Sequence, residues 1–130
     1  MHVGDSRGYL LRRGRLRQFT KDQTMGDLFV DIGRLSKEQA EKLGLFNTLS
    51  SAVGTDMAPT VGVLDLEADD ALLLCTDGLT NHVPDERIAE RLAGAQGAEE
   101  SCRALVDDAL AGGGRDNVTV IVARFAAPAG

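Results

Sequence analysis

A chain of 130 residues, 43% of them apolar, is long enough for one hydrophobic core and too short for two domains of ordinary size. Its 14 basic and 20 acidic residues leave a formal charge of −6 with the acids spread along the chain. That balance disfavours nucleic acid as the main partner, because phosphate binding depends on clustered lysine and arginine.

In chain order, residues 3–19 read as a hairpin: Tyr9-Leu10-Leu11 leads into a turn at Arg13-Gly14-Arg15, and Leu16 to Phe19 continues beyond it. Arg12, Arg13, Arg15 and Arg17 gather around that turn, where solvated charge is the ordinary explanation. Val3 lies two residues from Met1, so the first strand is expected to lack a lead-in and an upstream segment to be missing. Thr24 as N-cap, Met25, Leu28, Phe29 and Ile32 at helical spacing, and Gly33 as a stop predict a short amphipathic helix. Ser36-Lys37-Glu38-Gln39 fits the capping box of a second helix, continued by Ala40 and Leu43 and ending near Gly44. Residues 45–59 lack periodicity and predict mostly loop.

Val61, Val63, Leu64 and Leu66 predict a strand, Asp69-Asp70 an acidic turn, and the unbroken apolar run 71–75 a strand in the buried centre of a sheet. Beyond Pro84, Ile88, Ala89 and Leu92 mark a helix. A longer one follows on Ala98, Cys102, Leu105, Val106, Ala109 and Leu110, stopped by Gly112-Gly113-Gly114. Val118 to Phe125 is a closing β-branched strand, and the tail 127–130 is expected to fray. Cys75 and Cys102 sit in apolar runs as packed thiols, with no disulfide framework. No apolar stretch approaches the roughly 20 residues that span a bilayer, and no signal-peptide layout opens the sequence. The cytoplasm is therefore the expected location. The mixture of antiparallel strands and helices predicts an α+β fold in a single unit.

Asp77 follows the run 71–75 directly, with Gly78 behind it, and Asp116 precedes the final strand. If those strands are antiparallel neighbours, both carboxylates share one sheet edge, an oxygen-rich arrangement of the kind Mg²⁺ or Mn²⁺ prefers. Asp and Gly are also ordinary turn residues, so spacing alone leaves both readings open. Asp5, in Gly4-Asp5-Ser6-Arg7, reads either as a charge paired with Arg7, as a turn residue, or as a functional group, since an Asp in a strand is unusual for packing. His2 has no second histidine beside it and reads as structural.

His2-Val3-Gly4-Asp5-Ser6-Arg7, Cys75-Thr76-Asp77-Gly78-Leu79 and Gly114-Arg115-Asp116-Asn117-Val118-Thr119 together resemble, in order and spacing, the late motifs of the PPM (phosphatase 2C-type) protein phosphatases, bacterial members above all. Thr20-Lys21-Asp22, Ala52-Val53-Gly54 and Leu105-Val106-Asp107-Asp108-Ala109 are weaker echoes, and the resemblance covers nearly the whole chain. It implies part of a four-layer β-sandwich of antiparallel sheets flanked by helices. It also implies a Mn²⁺ or Mg²⁺ centre with Asp77 and Asp116 at ligand positions, and Asp5 where a third, weaker ion is held. Residues 21–54 correspond to a flap beside the active site. The implied reaction is hydrolysis of phosphoserine and phosphothreonine in proteins by metal-activated water, with no nucleophilic side chain.

The chain departs from the family pattern in two ways. The upstream motifs, including an Asp-Gly pair that bridges the two ions, have no counterpart, and Gln23 stands where family members commonly have His. The expectation is thus the C-terminal half of a phosphatase, weakly active or inactive by itself. A missing half also implies open edges and apolar faces, hence a homodimer or swapped assembly. The alternative is a naturally short, non-catalytic module that binds or regulates a partner.

Overall fold

Arg13 and Gly14 both take positive φ, 51° and 76°, the conformation that lets a two-residue turn follow the twist of a hairpin. The turn joins β1 (Arg7–Arg12) to β2 (Arg15–Gln18), with Arg12 opposite Arg15. The computed structural model describes residues 1–52, 54–56 and 58–129, and the chain divides into two compact units. One holds residues 1–6 and 21–63; the other holds residues 7–20 and 64–130.

In the second unit, β3 (Ala71–Cys75) pairs with β1 and with β4 (Val120–Arg124), so the described sheet runs β2-β1-β3-β4, antiparallel throughout. Three helices follow β3: α3 (Asp77–Thr80), α4 (Asp85–Gly94) and α5 (Ala98–Ala111). One sheet face carries Tyr9, Leu11, Ala71, Leu73 and Cys75 into a core completed by Leu79, Val83, Ile88, Leu92, Leu105 and Ala109. Burying each of the larger side chains contributes about 1.5–3 kcal/mol. The Tyr9 hydroxyl donates to Asp85 Oδ1 at 3.2 Å and accepts from Arg7 at 3.2 Å. Burial raises its pKa to about 12, so it remains a donor. This is the predicted α+β arrangement, and the described residues show one antiparallel sheet of it.

The other sheet face is also apolar. Gly8, Leu74 and Ile121 share one cross-strand row and Leu10, Leu72 and Ala123 the next, with Leu74 40% and Ile121 59% exposed. The central position predicted for β3 holds, but its Leu74 side meets solvent.

Several expectations change. The first strand begins at Arg7 instead of Val3, because Gly4 at φ 104° bends the chain ahead of it. The stretch predicted as a strand from Val61 to Leu66 forms none: Val61 is 74% and Val63 93% exposed, and only Thr60 bridges, to His2. Alternating β-branched residues supply propensity, but a strand also needs a neighbour to take its hydrogen bonds. The four-residue α3 was not predicted, since one turn carries no periodicity.

Asp69 turns the chain as expected, at φ 68°, and Asp70 beside it is buried. Arg12 grips it with both arms of its guanidinium, at 2.9 and 2.6 Å, and the Glu67 amide donates to it at 2.7 Å. The Arg12 bond, then the Glu67 amide, hold the Asp70 pKa at about 2. Asp108 is likewise held at about 2, chiefly by Arg91, which donates at 2.7 Å to each carboxylate oxygen. Both carboxyls titrate lower folded than unfolded, so the stability they supply is complete above about pH 4 and lost as the pH falls toward 2. Urea unfolding across that range is expected to show this acid limb, and Asp70→Asn is expected to flatten it.

In the first unit, Thr24 accepts from the Asp27 amide to cap α1 (Met25–Asp31), and Ser36 and Gln39 form the full capping box of α2 (Lys37–Lys42). Both helices match prediction. The buried position of α1 is Gly26, however, where an added Cβ would sit 2.6 Å from the Phe46 ring, while Leu28 and Ile32 are exposed. The described residues of 45–59 are mostly loop, as expected, with a 3₁₀ turn at Leu45–Asn47. Val53 of the Ala52-Val53-Gly54 echo lies outside the described residues.

Candidate metal centre

The β3–β4 ladder ends at Cys75 opposite Val120 and is extended one step by the Thr76 amide, which donates to the Thr119 carbonyl at 3.1 Å. Asp77 is the first residue of α3, immediately past that point. Asp116 lies just ahead of β4 on the neighbouring chain segment, so both aspartates stand at the same end of the sheet. β3 and β4 are antiparallel neighbours, as a shared edge requires.

The two carboxylate-bearing segments touch. A Cβ built on Gly78 would lie 2.1 Å from the Asn117 carbonyl oxygen and 2.9 Å from its carbon, so only glycine admits this approach. Thr76 Oγ1 accepts from the Thr119 amide at 3.1 Å and donates to the Asn117 carbonyl at 3.4 Å. Asp116 Oδ1 accepts from the Asn117 amide at 2.7 Å, which orients the carboxylate. Asp77 is half-buried and Asp116 exposed, so each is open to a ligand.

Donor chemistry decides what this edge can hold. Two carboxylates are hard oxygen donors suited to Mg²⁺ or Mn²⁺, and such ions often rest on one or two carboxylates, completing their shell with water and phosphate. Among the described residues no group of three or more His, Cys, Asp or Glu gathers closely enough to hold an ion. Carboxylate is the donor type that a hard divalent cation takes.

Asp5 belongs to the other compact unit, in the bend at Gly4-Asp5. There Gln23 acts as a strut: its side chain accepts from the Gly4 amide at 2.9 Å and donates to the Ala58 carbonyl at 2.6 Å, while its amide donates to the Gly4 carbonyl at 2.9 Å. His2 donates from its own amide to Thr60 and approaches the Ser6 carbonyl through Nε2 at 2.6 Å, in keeping with a structural role. Sequence alone gives Thr76 and Asn117 only as parts of motifs. Their cross-strand bonds had one legible signal, a hydroxyl residue and an amide residue flanking the two aspartates.

Residues 35–126 match the family model described as Stage II sporulation protein E (SpoIIE). The serine/threonine protein phosphatase PstP of Mycobacterium tuberculosis is 46% identical over 124 residues, which cover 95% of this chain and 24% of PstP. The serine/threonine phosphatase Stp of Listeria monocytogenes is 38% identical over 123 residues, 93% of this chain and 49% of Stp. The crystal structure of the PstP catalytic domain in complex with two manganese ions superposes with a TM-score of 0.79 at 43% identity, covering 97% of this chain and 52% of that one. The chain thus spans between a quarter and about half the length of these relatives. With the motif order, the antiparallel sheet that carries it and these matches in agreement, the chain belongs to the SpoIIE/PPM-type (protein phosphatase 2C-like) family of serine/threonine protein phosphatases.

Proposed function

We propose that this chain forms the later part of a metal-dependent protein serine/threonine phosphatase, with Asp77 and Asp116 as ligands of Mn²⁺ or Mg²⁺. The observation that carries the reading is the apposition of the two aspartate-bearing segments through Gly78 and the Asn117 carbonyl. The two manganese ions in the PstP structure support the choice of metal. When bound, such an ion supplies the acidification of water and the neutralisation of phosphoryl charge that hydrolysis of a phosphomonoester needs. The chain's own part is to hold the two carboxylates at one sheet end and leave them accessible. Its formal charge of −6 opposes an anionic phosphopeptide at long range, so attraction must arise locally. Asp5 is proposed as a ligand of a further, weaker cation, and residues 21–54 as the flap that admits the phosphopeptide.

With two carboxylates as the gathered donor set, affinity is expected to be weaker than micromolar and turnover slow. Phosphate release from a phosphothreonine peptide is expected only with Mn²⁺ present, and not from Asp77→Ala. Release that survives a chelator and is equal in the mutant would contradict the reading.

The exposed Val61, Val63, Leu74 and Ile121 support self-association as well. Light scattering at high protein concentration is expected to give twice the 13.8 kDa chain mass, as a homodimer or swapped assembly. A mass that stays at one chain would count against it.

A further inference from the structure

Thr76 stands at the N-cap of α3, where a threonine ordinarily turns its hydroxyl back onto the first amides of its own helix. Here it makes no such bond. The hydroxyl reaches across to the other strand instead, accepting from the Thr119 amide at 3.1 Å and donating to the Asn117 carbonyl at 3.4 Å. These partners lie one and three residues beyond Asp116, and Thr76 itself directly precedes Asp77. One hydroxyl therefore ties together the two segments that carry the carboxylates. Gly78 permits the segments to touch, and the Thr76 amide pairs with the Thr119 carbonyl at 3.1 Å, but among the Thr76 bonds only those of the hydroxyl reach toward Asp116 as far as Asn117.

We propose that Thr76 is a positioning residue for the cation site: its side-chain hydroxyl fixes the segment bearing Asp116 against the segment bearing Asp77. The proposal rests on the assignment of those two aspartates as cation ligands. A purely structural role is the competing explanation, and it predicts something different. Thr119 and Asn117 are exposed, so water can replace the lost bonds when the hydroxyl is removed. The fold should then tolerate the change, while the spacing of the carboxylates should not.

Mn²⁺ titration calorimetry on the wild-type chain, Thr76→Val, Thr76→Ser and Asp77→Ala separates the cases, with thermal unfolding and amide exchange at Thr119 on the same samples. Thr76→Val is expected to unfold near the wild-type temperature, to lose protection at the Thr119 amide, and to bind Mn²⁺ about 10-fold more weakly, at the low end of what losing an outer-shell partner of a metal ligand costs. Thr76→Ser, which keeps the hydroxyl, is expected to restore both protection and affinity. If Asp77→Ala abolishes binding but Thr76→Val binds like wild type, or if serine fails to rescue, the positioning role is overturned and the ligand assignment stands. Equal binding by wild type and Asp77→Ala, or none by either, overturns the ligand assignment and the inference with it.

Discussion

Alanine at position 78 is expected to lower the unfolding temperature and to weaken Mn²⁺ binding in the same variant. The added Cβ would fall 2.1 Å from the Asn117 carbonyl oxygen, 2.9 Å from its carbon and 3.4 Å from Val118 Cα. All three obstacles are backbone, so no rotamer change relieves the overlap. Either α3 shifts away from the sheet end or the 116–118 segment moves out. Overpacking of this kind costs about 1–3 kcal/mol, and at this chain length each kcal/mol lowers Tm by several degrees. The first movement disturbs the buried Leu79 that α3 contributes to the core, and the second carries Asp116 away from Asp77. Calorimetric unfolding checks the stability and Mn²⁺ titration the separation. A variant indistinguishable from wild type in both would mean that the two segments do not touch as described.

Asp77→Ala is expected to abolish Mn²⁺ binding with little loss of stability. Asp77 is half-buried, and its backbone role, accepting from the Asn81 amide at 2.9 Å to close α3, survives the substitution. What disappears is one of two oxygen donors at this edge. A hard divalent ion left with one protein carboxylate, and with no phosphate present to complete its shell, is expected to be held too weakly to register in the titration. Asp116→Ala should behave alike in binding, since neither carboxylate suffices alone.

Local chemistry made much of the architecture legible. Arg13-Gly14 between apolar runs, Thr24 and Ser36 ahead of helical spacing, and Gly112 after α5 each encode their element within a few residues. What escaped depends on partners distant in sequence. Val61 and Val63 have strand-forming side chains and, among the described residues, no strand to pair with. Asp70 reads as a turn acid because nothing near it announces Arg12, 58 residues away. The candidate site divides the same way. Asp77 and Asp116 stood out as candidates through motif order, and through spacing on the condition that their strands pair antiparallel, whereas the hydroxyl of Thr76 acquires its meaning only once Asn117 and Thr119 lie across from it.

Mn²⁺ titration calorimetry of this chain beside Asp77→Ala tests the metal assignment at its root. Weak, saturable binding in the wild type that is absent from the mutant is expected, while identical titrations of the two proteins would rule out Asp77 as a ligand.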